Sequence, residues 1–177
     1  MSGVLWITGL SGAGKTSLAE KIVPKFRKSY PNMIQLDGDK LRSIFSLEDF
    51  TNDNHSRDSR LSLALRYSKL CKVIEEQKFY VVISTISMFK EVYAWNRKNF
   101  INYFEVYLNV PKEELIKRDS KEIYSRFSSG KISNVAGFDF EVDEPDNPNL
   151  VFNYNKEFSA DDLANILYEE LKINFIS

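Results

Sequence analysis

Gly9-Leu10-Ser11-Gly12-Ala13-Gly14-Lys15-Thr16 has the spacing G-x-x-x-x-G-K-[ST] of a phosphate-binding loop. An apolar run, Val4-Leu5-Trp6-Ile7, precedes it, and a helical pattern through Leu18, Ala19 and Ile22 follows. A glycine-rich turn opening an ordinary helix is the alternative reading, and this strand–loop–helix context argues against it. Glycines let successive backbone N–H groups turn inward around phosphate oxygens, and the helix start adds its positive dipole end. The spacing therefore predicts a nucleoside triphosphate held by Gly9, Ser11, Gly12, Ala13, Gly14, Lys15, Thr16 and Ser17. Lys15 would reach the β- and γ-phosphates, and the Thr16 hydroxyl would take Mg²⁺.

Working outward, strand-like runs recur at Val4–Thr8, Met33–Leu36, Tyr80–Ile83, Phe104–Leu108 and Leu150–Phe152. Helical patterns separate them at about 15–28, 40–46, 59–77, 89–99, 111–126 and 160–172. In the last of these, Leu163, Ile166, Leu167 and Leu171 form one stripe behind Ser159 as N-cap. Short apolar strands alternating with helices predict a three-layer α/β fold, with about five parallel strands covered on both faces. In such a sheet, ligands gather where strand carboxyl ends meet helix N-termini. Three polar segments fall there: the phosphate loop, Asp37-Gly38-Asp39 and Ser84-Thr85-Ile86-Ser87.

The chain's 177 residues suit a single domain spanning 1–177, and its 43% hydrophobic content suits a folded core. Lys and Arg total 24 against 25 Asp and Glu, a balance that gives no support to a nucleic-acid or membrane partner. One cysteine, Cys71, excludes an intrachain disulfide and reads as a core thiol. No apolar run reaches the roughly 18 residues of a membrane span. The N-terminus enters a strand at once, without room for a signal peptide, so a cytoplasmic location is expected.

Asp37-Gly38-Asp39 ends the second strand and opens a helix carrying Arg42. A carboxylate there can polarise a hydroxyl or hold a Mg²⁺ water, and Arg42 can clamp an anion. A pair of N-capping aspartates is the alternative. A nucleotide-dependent switch is a remote rival. Its guanine-reading segment would be Asn-Lys-x-Asp, but the nearest string, Asn155-Lys156-Glu157-Phe158, lacks the aspartate. An ATP-driven machine usually needs a longer chain, which leaves a small-molecule kinase. Pro111–Arg126 reads as a polar helical segment, most of whose charges suit a solvated face. Arg118 and Lys121 are the exceptions. His55 stands in a polar loop with no visible metal or triad partners.

At this point the chain resembles the adenylylsulfate (APS) kinase family over nearly its whole length. The matching pieces are Ile7 through Thr16, Leu36-Asp37-Gly38-Asp39 with Arg42, Ile86-Ser87, and Phe104 through Leu108 before Pro111. Arg118-Asp119 with Lys121 and Tyr124 resemble the family's lid, here about 111–140, and Glu144-Pro145 with Asn147-Pro148 its closing segment. The resemblance implies a P-loop kinase moving a phosphoryl group from MgATP to the 3′-hydroxyl of a nucleotide carrying a 5′ anhydride. It further implies catalytic roles for Lys15, Asp39 and Lys121, Mg²⁺ on Thr16 and Asp39, and Arg118 on the ATP side. Asp37, Arg42, Phe50, Arg60, Ile86, Ser87, Lys121 and Val135 would then meet the acceptor. A homodimer is a further implication of the family.

Departures from the family pattern cluster on the acceptor side. The family's Asp-Arg-x-x-Asn-x-Arg-Arg is matched here by Ser59-Arg60, Leu63 and Leu65-Arg66, with Arg57 competing for the place of Arg60. Ser-Pro-Tyr becomes Ser87-Met88-Phe89, and Lys-Gly-Leu-Tyr becomes Lys121-Glu122-Ile123-Tyr124. The phenylalanine that helps sandwich the adenine of APS becomes Val135, which has no flat face for stacking. Phe50, Phe138 or Phe140 could restore that face. Alternatively the acceptor differs, as in relatives that phosphorylate cytidine diphosphoramidate in surface-polysaccharide pathways. Both acceptors stay open on the sequence.

Overall fold

A computed structural model describes residues 2–45, 56–119 and 121–175. Five strands form one parallel sheet: β1 (Gly3–Thr8), β2 (Met33–Asp37), β3 (Tyr80–Ser84), β4 (Tyr103–Asn109) and β5 (Leu150–Asn153), in the order β2-β3-β1-β4-β5. β1 pairs with β3 on one side, with Leu5 opposite Val82, and with β4 on the other, with Ile7 opposite Val106. All six residues of β1 are buried, so the strand reads as a continuous apolar run and not as an alternation.

Successive side chains nevertheless point to opposite faces, and this splits the core in two. Leu5, Ile7, Val82 and Val106 join Leu18, Ile22 and Phe26 of α1 (Lys15–Arg27) and Leu167 and Leu171 of α7 (Ala160–Asn174). Val4, Trp6, Val81 and Ile83 pack instead with Ala64, Tyr67 and Cys71 of α3 (Arg57–Glu76) and Val92 of α4 (Lys90–Asn99). The expected three layers are present, and so are all five expected strands. Cys71 is buried, and burial pushes its thiol well up from its ordinary value, as befits a core residue.

Helix starts follow local chemistry. Ser56 caps α3 by accepting from the Ser59 N–H, which moves the start ahead of the expected residue 59. Ser159 and Asp162 form a capping box on α7. Phe175, just past α7, packs its ring 5.7 Å from that of Tyr80 and 6.1 Å from that of Phe104. Besides α2 (Gly38–Phe45), two short helices complete the described set, α5 (Lys112–Arg118) and α6 (Ile123–Ser128).

The helix expected over 111–126 is therefore two helices. Asp119 and Glu122 take positive φ, 26° and 54°, between them. The Asp119 carboxylate accepts from the N–H groups of Tyr124 at 2.8 Å and Ser125 at 2.9 Å. It caps the second helix, and satisfying those donors stops the first from continuing through. Lys121 lies in the resulting bend and not on a helix face.

Candidate active site

The phosphate loop leaves β1 and turns into α1 with Gly12 and Gly14 at positive φ, 77° and 98°. Gly9 is required by close approach, since a Cβ there would lie 2.7 Å from the Leu108 carbonyl oxygen. The loop forms one end of a cavity of about 540 Å³. Ser11, Gly12, Gly14, Lys15, Thr16 and Ser17 line that end. Gly9 and Ala13 do not; Ala13 is buried, and its N–H donates to Leu10 C=O at 3.2 Å.

Lys15 folds back over the loop, its Nζ donating to Leu10 C=O at 2.8 Å. Burial lowers its pKa to about 8, with Lys121 adding to the effect and Asp39 and Asp37 opposing it. An ammonium held against desolvation, with one carbonyl partner, is poised for a phosphate oxygen.

The two aspartates divide. Asp37 Oδ2 accepts from Thr16 Oγ1 at 2.8 Å and from Ser84 Oγ at 3.0 Å. Asp37 Oδ1 accepts from the Asp39 N–H at 2.9 Å and the Lys40 N–H at 3.3 Å. Burial alone would raise this carboxyl, but the hydroxyl and backbone donors outweigh it and hold the pKa below the usual value. Asp39, in the first turn of α2, is exposed and pairs with Lys121. The carboxylate beside Thr16 is thus Asp37, expected on the acceptor, and not Asp39, the expected metal partner. Three oxygen-bearing side chains converge here, a donor set that suits Mg²⁺.

Arg118 reaches the loop from α5. It donates to Gly12 C=O at 3.3 Å, pairs with Glu114 at 3.0 Å and lies 5.1 Å over the ring of Tyr154. Glu114, expected on a solvated helix face, thus holds Arg118, and Tyr154 carries no expectation from the sequence. The spacing of Glu114 and Arg118 on one helix pointed to the first; nothing local pointed to the second.

Beyond the loop, the cavity is lined by Arg42, Arg60, Leu63, Tyr67, Met88, Phe89, Phe140 and Val142, together with Ile86 and Ser87. Arg60, not Arg57, faces the cavity. Arg57 instead pairs with Glu91 at 2.9 Å and with Asp143 at 3.3 Å. Arg60, Leu63 and Tyr67 stand at i, i+3 and i+7 on α3, a helical spacing that could have revealed Tyr67 in the sequence. Tyr67 donates to Gly38 C=O at 3.2 Å, and burial raises its pKa to about 12.

Val135 is 6% exposed, belongs to the core on the α1 side of the sheet and does not line the cavity. Phe138 turns the same way, its ring 4.8 Å from that of Tyr124. Phe140 does face the cavity. Phe50 and His55 lie outside the described residues. No group of three or more His, Cys, Asp or Glu that could hold a metal occurs among the described residues, and no helix among them is long and apolar enough to cross a membrane.

A family model described as adenylylsulphate kinase matches residues 1–153. The chain is 35% identical over 170 residues to the cytidine diphosphoramidate kinase of Campylobacter jejuni serotype O:2, covering 96% of both chains. It is 30% identical over 168 residues to a probable adenylyl-sulfate kinase of Pyrococcus abyssi, covering 95% of this chain and 94% of that one. The fold superposes with a TM-score of 0.84 on the Mycobacterium tuberculosis APS kinase in complex with AMPPNP and APS, at 29% identity, covering 97% and 98% of the two chains.

Proposed function

This chain belongs to the adenylylsulphate kinase family, and on that footing we propose that it transfers the γ-phosphoryl group of ATP to the 3′-hydroxyl of a nucleotide 5′-anhydride. One observation carries the reading. One cavity is lined by the phosphate loop and by two guanidinium groups, Arg42 and Arg60, with Asp39 and Lys121 lining it as well. Loop N–H groups and Lys15 hold the donor's phosphates, and Arg118 lies on the donor side. Thr16 and Asp37, with Asp39 nearby, are the residues that would hold Mg²⁺, which would supply neutralisation of phosphate charge.

Asp39 orients the acceptor hydroxyl and takes its proton as the oxygen attacks. Lys121, on the bend of the lid, leaves its pairing with Asp39 to neutralise charge on the transferring group. Arg42 and the edge of Arg60 face the acceptor's anionic anhydride. Catalysis on this account is positioning plus fixed positive charge.

Two acceptors fit this chemistry, adenylyl sulfate and cytidine diphosphoramidate. The second is favoured by the 35% identity to the Campylobacter jejuni enzyme. ATP consumption measured with each acceptor in parallel tests the reading. Turnover of cytidine diphosphoramidate is expected at a higher kcat/KM than turnover of APS. The reverse order would return the assignment to APS, and slow ATP hydrolysis unaffected by either would remove the nucleotide acceptor altogether.

A further inference from the structure

Two residues that line the cavity, Arg60 and Phe140, form a cation–ring pair whose ring the family-derived roles leave unused. The Arg60 guanidinium carbon lies 4.4 Å from the centre of the Phe140 ring, close enough for a plane-on-ring contact. One Arg60 Nη2–H donates to the Asn134 carbonyl, while Arg60 Nε is buried with no partner. Burial, and then the facing Arg42, hold the Arg60 pKa below its ordinary value. This guanidinium is held by one carbonyl and one ring.

Phe140 is itself fixed. Its ring meets that of Phe89 edge-on, at 6.3 Å and 81°. Its N–H donates to Val135 C=O, and its carbonyl accepts from the Gly137 N–H at 2.8 Å. The Asp139 carboxylate closes the same loop by accepting from the N–H groups of Asn134 and Val135. Gly137 has φ +80°, and a Cβ there would lie 2.7 Å from Leu10 Cδ1. The loop that presents Phe140 is thus wedged against the phosphate loop and cannot easily drift.

We propose that the Arg60–Phe140 stack is the platform on which the acceptor's base lies. The plane of Arg60 receives the base and Phe140 backs that plane, while Arg42 meets the acceptor's charge. Guanidinium planes serve as stacking faces for bases, and a ring behind one keeps it flat and oriented. The flat face missing at Val135 is supplied in this way from a different element. The inference rests on the nucleotide-acceptor reading above and adds to it the residues that recognise the base.

The test compares two competitors of the acceptor, cytidine 5′-diphosphate and ribose 5-phosphate, one with a base and one without. Inhibition constants are measured for the wild type, Phe140→Ala, Phe140→Leu and Arg60→Lys, with the KM for ATP as the check on folding. Stacking is worth about 1–3 kcal/mol per base, so each variant is expected to bind cytidine 5′-diphosphate at least fivefold more weakly. Ribose 5-phosphate inhibition and the KM for ATP are expected to stay within about twofold in the two Phe140 variants. Phe140→Leu preserves apolar bulk if Phe140→Ala does not fold. Arg60→Lys keeps the charge and removes the plane, so unchanged affinity for cytidine 5′-diphosphate in that variant would overturn the proposal. Equal weakening of both competitors by the Phe140 variants would also overturn it, making Phe140 a support for an anion clamp. If the wild type bound neither competitor, the nucleotide-acceptor reading itself would fall.

Discussion

Asp37 and Asp39 stand two positions apart, and the fold gives them different work. Asp37 ends β2 and accepts four hydrogen bonds, two of them from Thr16 and Ser84 side chains. Asp39 opens α2, is exposed and meets only Lys121 among the described side-chain partners. Asp39→Asn is expected to lower kcat roughly 100-fold with little change in KM for ATP, as loss of a proton acceptor would. Asp37→Asn should weaken Mg²⁺-dependent ATP binding as well. Steady-state kinetics at varied ATP and Mg²⁺ separate the two, and a fall in ATP affinity alone for Asp39→Asn would make it a binding residue. The sequence showed both carboxylates at the right strand end. It did not show which one meets Thr16, because that depends on side-chain direction at a strand–helix junction. Lys15 makes a second prediction. Its pKa near 8 must rise when phosphate oxygens surround it, so nucleotide affinity should fall above pH 8. By pH 9 the loss is roughly tenfold for a single titrating group. Titration with a non-hydrolysable ATP analogue at pH 7 and pH 9 checks this, and equal affinities would contradict it. The folded pKa lies below the ordinary 10.5, so the unfolded chain binds the extra proton between pH 8 and 10.5. The cost of keeping Lys15 charged in the fold is therefore full below pH 8 and is relieved as pH rises through that window.

Among the elements, α7 was the most legible, because its apolar stripe and its Ser159 cap are both written in adjacent residues. The segment 111–126 was the least. Its charges fit one helical period throughout, and the break comes from one carboxylate, Asp119, capping α6 while its own φ turns positive. A period cannot reveal a side chain that competes for backbone donors. The break matters because it sets Arg118 at the end of one helix and Lys121 in the bend before the next. Asp119→Ala removes the cap and should cost about 1 kcal/mol, lowering Tm by roughly 2–4 °C in a chain of this size. It should also raise the KM for ATP, because Arg118 and Lys121 lose their fixed separation. Thermal melts together with initial rates test this, and an unchanged KM would place both residues outside donor binding.

In the molecule as a whole, the order β2-β3-β1-β4-β5 puts the ends of β1, β2 and β3 side by side, so three separate polar segments meet in one cavity. The phosphate-loop part of the cavity was legible because one continuous stretch, Gly9 to Thr16, builds most of it. The rest was not, because Arg60, Phe89 and Phe140 come from separate parts of the chain that only the fold brings together. The resemblance led to Val135, yet the loop turns that side chain into the core and Phe140 toward the cavity. Phosphorylation of a nucleotide anhydride on its 3′-oxygen is the central claim for this assembly. It is tested most directly by phosphorus NMR of the products after incubating the protein with MgATP and cytidine diphosphoramidate or APS. A new 3′-phosphate signal coupled to the ribose, formed together with ADP and faster on the cytidine compound, is the expected result. ADP accompanied only by inorganic phosphate, with both acceptors intact, would contradict it.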